Sequence, residues 1–358
     1  MTTRTNRGVS WVRKAVTVGA AAATVAALAS CSNATENSDQ NSASSSEATT
    51  LTVYAGQHEE TVKALADGFT AKTGIKVVIR AGEDAELVNQ ILEEGDASPA
   101  DLYLSEEPGP IGQLDAKGLL STVDANTLTQ VDANLVPGTK NWVPYAARAR
   151  VMFYNPTKIS EDQLPDSIMD LADPKWKGQF AYAPSGAFAG TVSYLISTIG
   201  EDDTLTWLKA IKDNGVNEQK NGKVRDTVEA GQHAFGLSNH YYWWILAGQK
   251  GGEDKLTSKV HFMDQPDAGS LVLASGAGIL RSSKHQDEGQ QFLSWLTSAD
   301  GGQKVVAGDE DAQFPVGTGV TSQVGLPPLS DLHPPKADQG VFSNLTKARE
   351  LIVQAGIA

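Results

Sequence analysis

Apolar residues arrive in short bursts from Leu51 onward, and the spacing inside each burst separates strands from helices. Leu51-Thr52-Val53-Tyr54 is a β-rich run, and Ala55-Gly56-Gln57-His58 follows as a turn. Val62, Leu65, Ala66 and Phe69 then recur at helical spacing until Gly74 stops the pattern. Lys76-Val77-Val78-Ile79-Arg80 reads as a second strand, and Leu87, Ile91 and Leu92 mark a helix closed by Gly95. Asp101-Leu102-Tyr103-Leu104 is a third strand, with Ile111, Leu114 and Leu119 continuing the alternation. Strand and helix in strict turn predict an α/β unit with a parallel sheet covered by helices. Ligands of such sheets lie beyond the carboxyl ends of the strands. That rule singles out Gln57-His58 and Ser105-Glu106-Glu107.

A second α/β unit follows. Val151-Met152-Phe153-Tyr154 is a strand leading into Asn155-Pro156. Trp176–Tyr182 approaches another strand, which empties into Pro184-Ser185-Gly186-Ala187 ahead of a helix carrying Val192, Leu195 and Ile196. Ala234-Phe235-Gly236-Leu237 is a further strand ending at Ser238-Asn239-His240-Tyr241-Tyr242. Helices close the chain around Phe292–Leu296 and Leu345–Val353. No fixed period repeats, which excludes solenoids and propellers.

The N-terminus obeys a different grammar. Arg4, Arg7, Arg13 and Lys14 precede an Ala/Val-rich run from Ala15 that ends in Leu28-Ala29-Ser30-Cys31. The run is shorter than the roughly 20 residues of a spanning helix. Cys31 is the only cysteine of the chain, so it has no internal disulfide partner. The segment resembles a bacterial lipoprotein signal with Leu28–Cys31 as its lipobox. That resemblance implies cleavage after residue 30 and a lipid on Cys31. Residues 31–50, rich in Ser, Asn, Glu, Ala and Thr, then read as a tether too polar to offset its ordering entropy.

Charge and motifs narrow the chemistry. The 29 basic and 43 acidic residues give a formal charge of −14, which argues against nucleic acid as a partner. Residues 1–30 hold four of the basic residues and no acidic one, so processing makes the balance more negative. There is no phosphate loop and no H-E-x-x-H zinc motif. Gly276-Ala277-Gly278 is followed by Arg281 where a dinucleotide fingerprint needs glycine, and Ser185 lacks a nucleophile-elbow frame. What remains at strand ends is His58, Glu106, Tyr241 and Tyr242. Imidazole, carboxylate and phenol together suit a hard cation such as ferric iron, for which tyrosinate is a recognised ligand. Adjacent tyrosines point to opposite faces of a strand, so both reach one metal only from a turn or helix start.

Three segments, Val53–Glu59, Pro99–Glu106 and Ser238–Trp243, resemble the bacterial ferric-ion-binding proteins of ABC importers. Pro174–Gly178 and Ser185–Phe188 are similar to further segments of that family, and the likeness runs from about Leu51 to the C-terminus. The resemblance implies a two-lobed, type II periplasmic-binding-protein fold with a hinge and an interlobe cleft. Lobe 1 would comprise 51–149 and 271–322, and lobe 2 would comprise 150–270 and 323–358. His58 and Glu106 would bind iron from lobe 1, and Tyr241 and Tyr242 from lobe 2. Ser185, Gly186, Ala187, Asn221 and Asn239 match positions that cradle a synergistic anion. Glu107 replaces a glutamine of phosphate-binding members, and its extra negative charge would repel phosphate. Arg148 and Arg150, near the expected lobe crossover, would either favour carbonate or form a hinge salt bridge.

The resemblance thus implies a monomeric extracytoplasmic lipoprotein, held on the outer face of the cytoplasmic membrane, that passes Fe3+ to the permease of an ABC importer and catalyses nothing. Two other readings stay open. The same fold could bind thiamine, a polyamine or an organophosphonate, with Tyr241, Tyr242 and Trp243 boxing an organic cation. Alternatively, Glu106, Glu107 and His58 could serve a metal-dependent envelope hydrolase.

Overall fold

The computed structural model describes residues 49–184 and 186–357, which leaves the expected signal, Cys31 and nearly all of the expected tether outside the described residues. The first half of the described chain runs β1 (Thr50–Ala55), α1 (Glu59–Thr73), β2 (Lys76–Ala81), α2 (Asp84–Glu94), β3 (Leu102–Leu104), α3 (Pro108–Ala116) and a short α4 (Ala125–Leu128). Then come β4 (Val143–Tyr154), β5 (Phe180–Tyr182), α5 (Ala187–Ile199), α6 (Glu201–Asn214), β6 (Val216–Asn217), α7 (Asn221–Glu229), β7 (Phe235–Asn239) and α8 (Tyr241–Lys250). The chain finishes with β8 (Lys259–His261), β9 (Val272–Ile279), α9 (Gln286–Thr297), α10 (Gly302–Ala307) and α11 (Leu345–Gln354).

The strands follow the order β2-β1-β3-β9-β4-β7-β5-β6, with β8 on β4. β1 pairs in parallel with both β2 and β3, as the alternating pattern predicts. The sheet is nevertheless mixed, because β9 joins β3 antiparallel and pairs in turn with β4. The strand expected at Val151–Tyr154 begins earlier, at Val143, and all twelve of its residues are buried. Burial on both faces removes the alternation by which a strand is recognised. β4 changes partners midway. Val143–Ala149 pair with β9, whereas Arg150–Tyr154 pair with β7.

β9 contains Gly276-Ala277-Gly278. A Cβ on Gly276 would lie 2.7 Å from Trp142 and 2.8 Å from Ile111, so the glycine answers close packing on the sheet face. Burial drives the helices onto the sheet. Val62, Leu65, Ala66 and Phe69 of α1 are covered, and Phe69 meets Phe292 edge-on at 4.9 Å. Each such large apolar side chain contributes about 1.5–3 kcal/mol on burial. Around β5 and β7, Phe180 stacks on Phe235 at 5.7 Å. α11 returns from the far end of the chain to bury Leu345, Ala348, Leu351 and Ile352 among residues of α5 and α6. Among the described residues no helix is long and apolar enough to cross a membrane.

Candidate metal-binding cleft

β1 ends at Ala55, and the chain turns through Gly56 so that His58 stands at the N-terminal cap of α1. A Cβ on Gly56 would fall 1.7 Å from the carboxylate of Asp84, so only glycine allows the turn to pass this close to α2. The His58 ring is aimed by Asp311, whose Oδ2 lies 2.8 Å from Nδ1. That hydrogen bond is the main cause raising the imidazole pKa, and it lowers the pKa of Asp311 in return. Nε2 is left facing Glu106 Oε1 at 3.8 Å.

β3 delivers Glu106 in the same manner, just past its carboxyl end. Its backbone N–H donates to Asp84 Oδ2 at 3.1 Å, and its carboxylate pairs with the Nη1 of Arg148. Arg148 is fully buried in β4, where Nη2 donates to Ser275 Oγ and Gln313 Oε1, both at 3.2 Å. The guanidinium also lies 5.5 Å from the ring centre of Tyr241. Asp84 is half-buried beneath this corner, and desolvation pushes its pKa up to about 7.

The other wall comes from β7 and α8. His240, fully buried, caps α8; its Nδ1 accepts from Ala149 N at 3.1 Å and its Nε2 donates to Ala312 O at 2.7 Å. Tyr241 and Tyr242 are the first two residues of the helix, where neighbours diverge by only about 100° and can serve one cavity. Their ring centres are 4.4 Å apart, and Tyr241 meets His58 edge-on at 5.7 Å. Burial raises the Tyr241 pKa well above that of a free phenol, and Glu106 adds to the shift. In the unliganded cleft, then, Tyr241 carries its proton.

These walls enclose a cavity of about 430 Å³ lined by His58, Glu106, Tyr241 and Tyr242, with Glu107, Gly186, Asn221 and Asn239. All four expected metal ligands and three of the five expected anion positions therefore meet in one place. Ser185 lies outside the described residues. Ala187 does not line this cavity; its fully buried side chain packs with Leu271, Leu273 and Phe342. Glu107 lines the same cavity, and desolvation raises its pKa against the opposing pull of Arg148. Arg148 and Arg150 stand behind the wall. Arg150 Nη1 donates to Asn239 Oδ1 at 2.7 Å, and burial lowers its pKa to about 10.

The donor set fits a hard trivalent cation. Among the described residues no three His, Cys, Asp or Glu side chains converge to hold a metal. Asp311, Asp84, Gln313 and the clamp on His240 escaped the sequence reading. Asp311 sits in the unpatterned acidic run Asp309-Glu310-Asp311, 253 residues from the ring it holds, and no local signal joins the two.

Comparison with known proteins identifies the class. Residues 55–303 match the family model for bacterial extracellular solute-binding proteins, and the chain belongs to that family. Its fold is the two-lobed α/β fold with an interlobe cleft, shared with the iron-bound structure of HitA from Pseudomonas aeruginosa. That likeness has a TM-score of 0.79 and 39% identity, covering 86% of this chain and 99% of that one. The chain is also 42% identical over 308 residues to an Fe(3+)-binding periplasmic protein of Serratia marcescens, covering 86% of this chain and 90% of the relative. To the major ferric iron-binding protein of Neisseria meningitidis serogroup B it is 37% identical, with 86% and 93% covered. A Trichodesmium protein solved with iron and citrate shares the fold at a TM-score of 0.75 and 26% identity, over 86% of this chain and 99% of that one.

Proposed function

We propose that this protein captures ferric iron in its interlobe cleft and hands it to the permease of an ABC importer. The observation that carries the reading is the convergence of one imidazole, one carboxylate and two adjacent phenols on a single cavity. His58 and Glu106 bind from lobe 1 (51–149 and 271–322), and Tyr241 and Tyr242 from lobe 2 (150–270 and 323–358). The change of partners along β4 between Ala149 and Arg150 supports that crossover. Two phenolates and one carboxylate balance a charge of three plus. Gly186, Asn221 and Asn239, with Ser185 and the backbone of Ala187, hold a synergistic anion, carbonate or phosphate.

Iron displaces the phenolic protons, because direct interaction with the cation stabilises the phenolates. Bound metal bridges the lobes and favours closure, since it contacts all four ligands only when the walls meet. The permease reads the closed form. A lipid on Cys31 and the tether to residue 50 keep the protein, a monomer, on the outer face of the cytoplasmic membrane. It performs no catalysis. The organic-cation reading is weakened by Arg148, which already places the protein's own cation beside Tyr241.

Visible absorption titration of the iron-free chain with chelated ferric iron tests the proposal. Ferric tyrosinate absorbs through a charge-transfer band that imidazole and carboxylate cannot supply. The expected result is a saturable one-to-one band. A colourless protein would overturn the reading.

A further inference from the structure

Asp311 hydrogen-bonds His58, and its turn reaches His240 and Arg148 as well. Asp309 O accepts from Ala312 N at 2.9 Å, closing a turn that holds Ala312 at φ 53°. A left-handed conformation in a residue other than glycine persists only where its surroundings hold it. Here Asp309 accepts from the hydroxyl of Thr61 in the first turn of α1 at 2.5 Å, and from the backbone of Asp311 at 3.0 Å. The turn so fixed presents three groups in succession. Asp311 Oδ2 meets His58 Nδ1 at 2.8 Å, Ala312 O accepts from His240 Nε2 at 2.7 Å, and Gln313 Oε1 accepts from Arg148 at 3.2 Å. One short segment therefore braces an expected ligand of one lobe, the cap of the helix bearing the two tyrosines, and the cation paired with Glu106.

We propose that Asp311 is a positioning residue for His58, holding the imidazole in the Nδ1–H form and in the rotation that turns Nε2 toward the metal. The inference rests on the ferric-iron reading for its consequence, whereas the tautomer itself is a property of the iron-free chain. A carboxylate behind a metal-binding imidazole fixes both its tautomer and its direction, and losing such a group typically lowers affinity about 10–100-fold. Asp311 is well placed for the task because the turn sets its position relative to α1 and α8 together. Its side chain is about a quarter exposed, so removing it leaves no large void.

The experiment is a cycle of Asp311→Ala and His58→Gln in the full chain, read by ferric iron affinity, with nitrogen-15 spectra of the iron-free protein at alkaline pH. Asp311→Ala is expected to weaken iron binding about 10–100-fold in the native background and less than about twofold once His58 is glutamine. Asp311→Asn, whose amide oxygen still accepts from Nδ1, should recover part of the loss. The spectra should show His58 protonated on Nδ1 in the native chain and shifted toward Nε2 in Asp311→Ala. Equal losses in both backgrounds, or a native His58 protonated on Nε2, would overturn the proposal. Absence of a tyrosinate band in the native chain sinks the iron reading instead, and the tautomer still decides the role of Asp311.

Discussion

The two walls of the cleft reach one cavity by different physical routes. On the wall built at the ends of β1 and β3 both candidate ligands are already engaged, His58 with Asp311 and Glu106 with Arg148. On the wall formed by α8, burial outweighs the nearby Arg148 guanidinium and keeps the Tyr241 phenol protonated. Tyr241 is buried, its nearest hydrogen-bond partner is Asn239 Nδ2 at 3.4 Å, and its pKa stands well above that of a free tyrosine. The first wall is thus organised in the empty protein, whereas on the proposed reading Tyr241 of the second becomes anionic only by losing its proton to the metal. Affinity and its pH dependence should therefore depend chiefly on α8, and stability of the empty protein chiefly on β3 and β4.

The comparison can be broken most directly at the tyrosines. Tyr241→Phe or Tyr242→Phe should lower iron affinity beyond the roughly 100-fold limit typical of outer-shell groups. Titration with chelated iron checks this, and His58→Gln should cost less. Iron-free Tyr241→Phe should melt close to the native protein, because one long hydrogen bond is worth no more than about 1 kcal/mol.

Glu106→Gln should do the reverse to the empty protein. It leaves Arg148 buried without its counter-ion, at a cost of about 3 kcal/mol, the low end for a broken buried pair because Glu106 is partly exposed. Denaturant unfolding of the iron-free variant would measure it, and an unchanged midpoint would show that the first wall is not braced electrostatically.

Acid sharpens the contrast further. Tyr241 holds its proton in the empty cleft, and on the proposed reading iron displaces it, so affinity should fall as pH falls. The expected slope is about tenfold per pH unit for each proton released. Titrations at neutral and mildly acidic pH that gave equal affinities would contradict it. Asn239→Ala is the smallest test. It removes the acceptor of Arg150 and should cost about 1–2 kcal/mol of stability, read from the melting curve, with only a modest loss of iron affinity.

Much of this arrangement was legible along the chain. Helical spacing located α1 because Val62, Leu65, Ala66 and Phe69 bury one face and leave the other polar. The strand-end rule reached His58 and Glu106, because in a parallel sheet the carboxyl ends gather on one edge whatever the details of packing. The demand that two adjacent phenols serve one cavity called for a turn or a helix start at Tyr241, and α8 begins there. Those features are local: each follows from the period of a few neighbouring side chains or from the reach of a single turn.

Tertiary structure decided the remainder, for equally physical reasons. β9 and the first half of β4 are buried on both faces, so neither shows an alternating signature. Glu107 reads as one more negative charge, and only burial raises its pKa. Asp311 is an ordinary surface acid by composition, and only the turn at Ala312 carries it to His58. Sequence alone determined which groups could bind a hard cation and which elements bear them. Which groups are paired, which keep their protons, and what holds the imidazole were decided only by contacts between distant segments, because burial and charge are properties of the assembled surroundings.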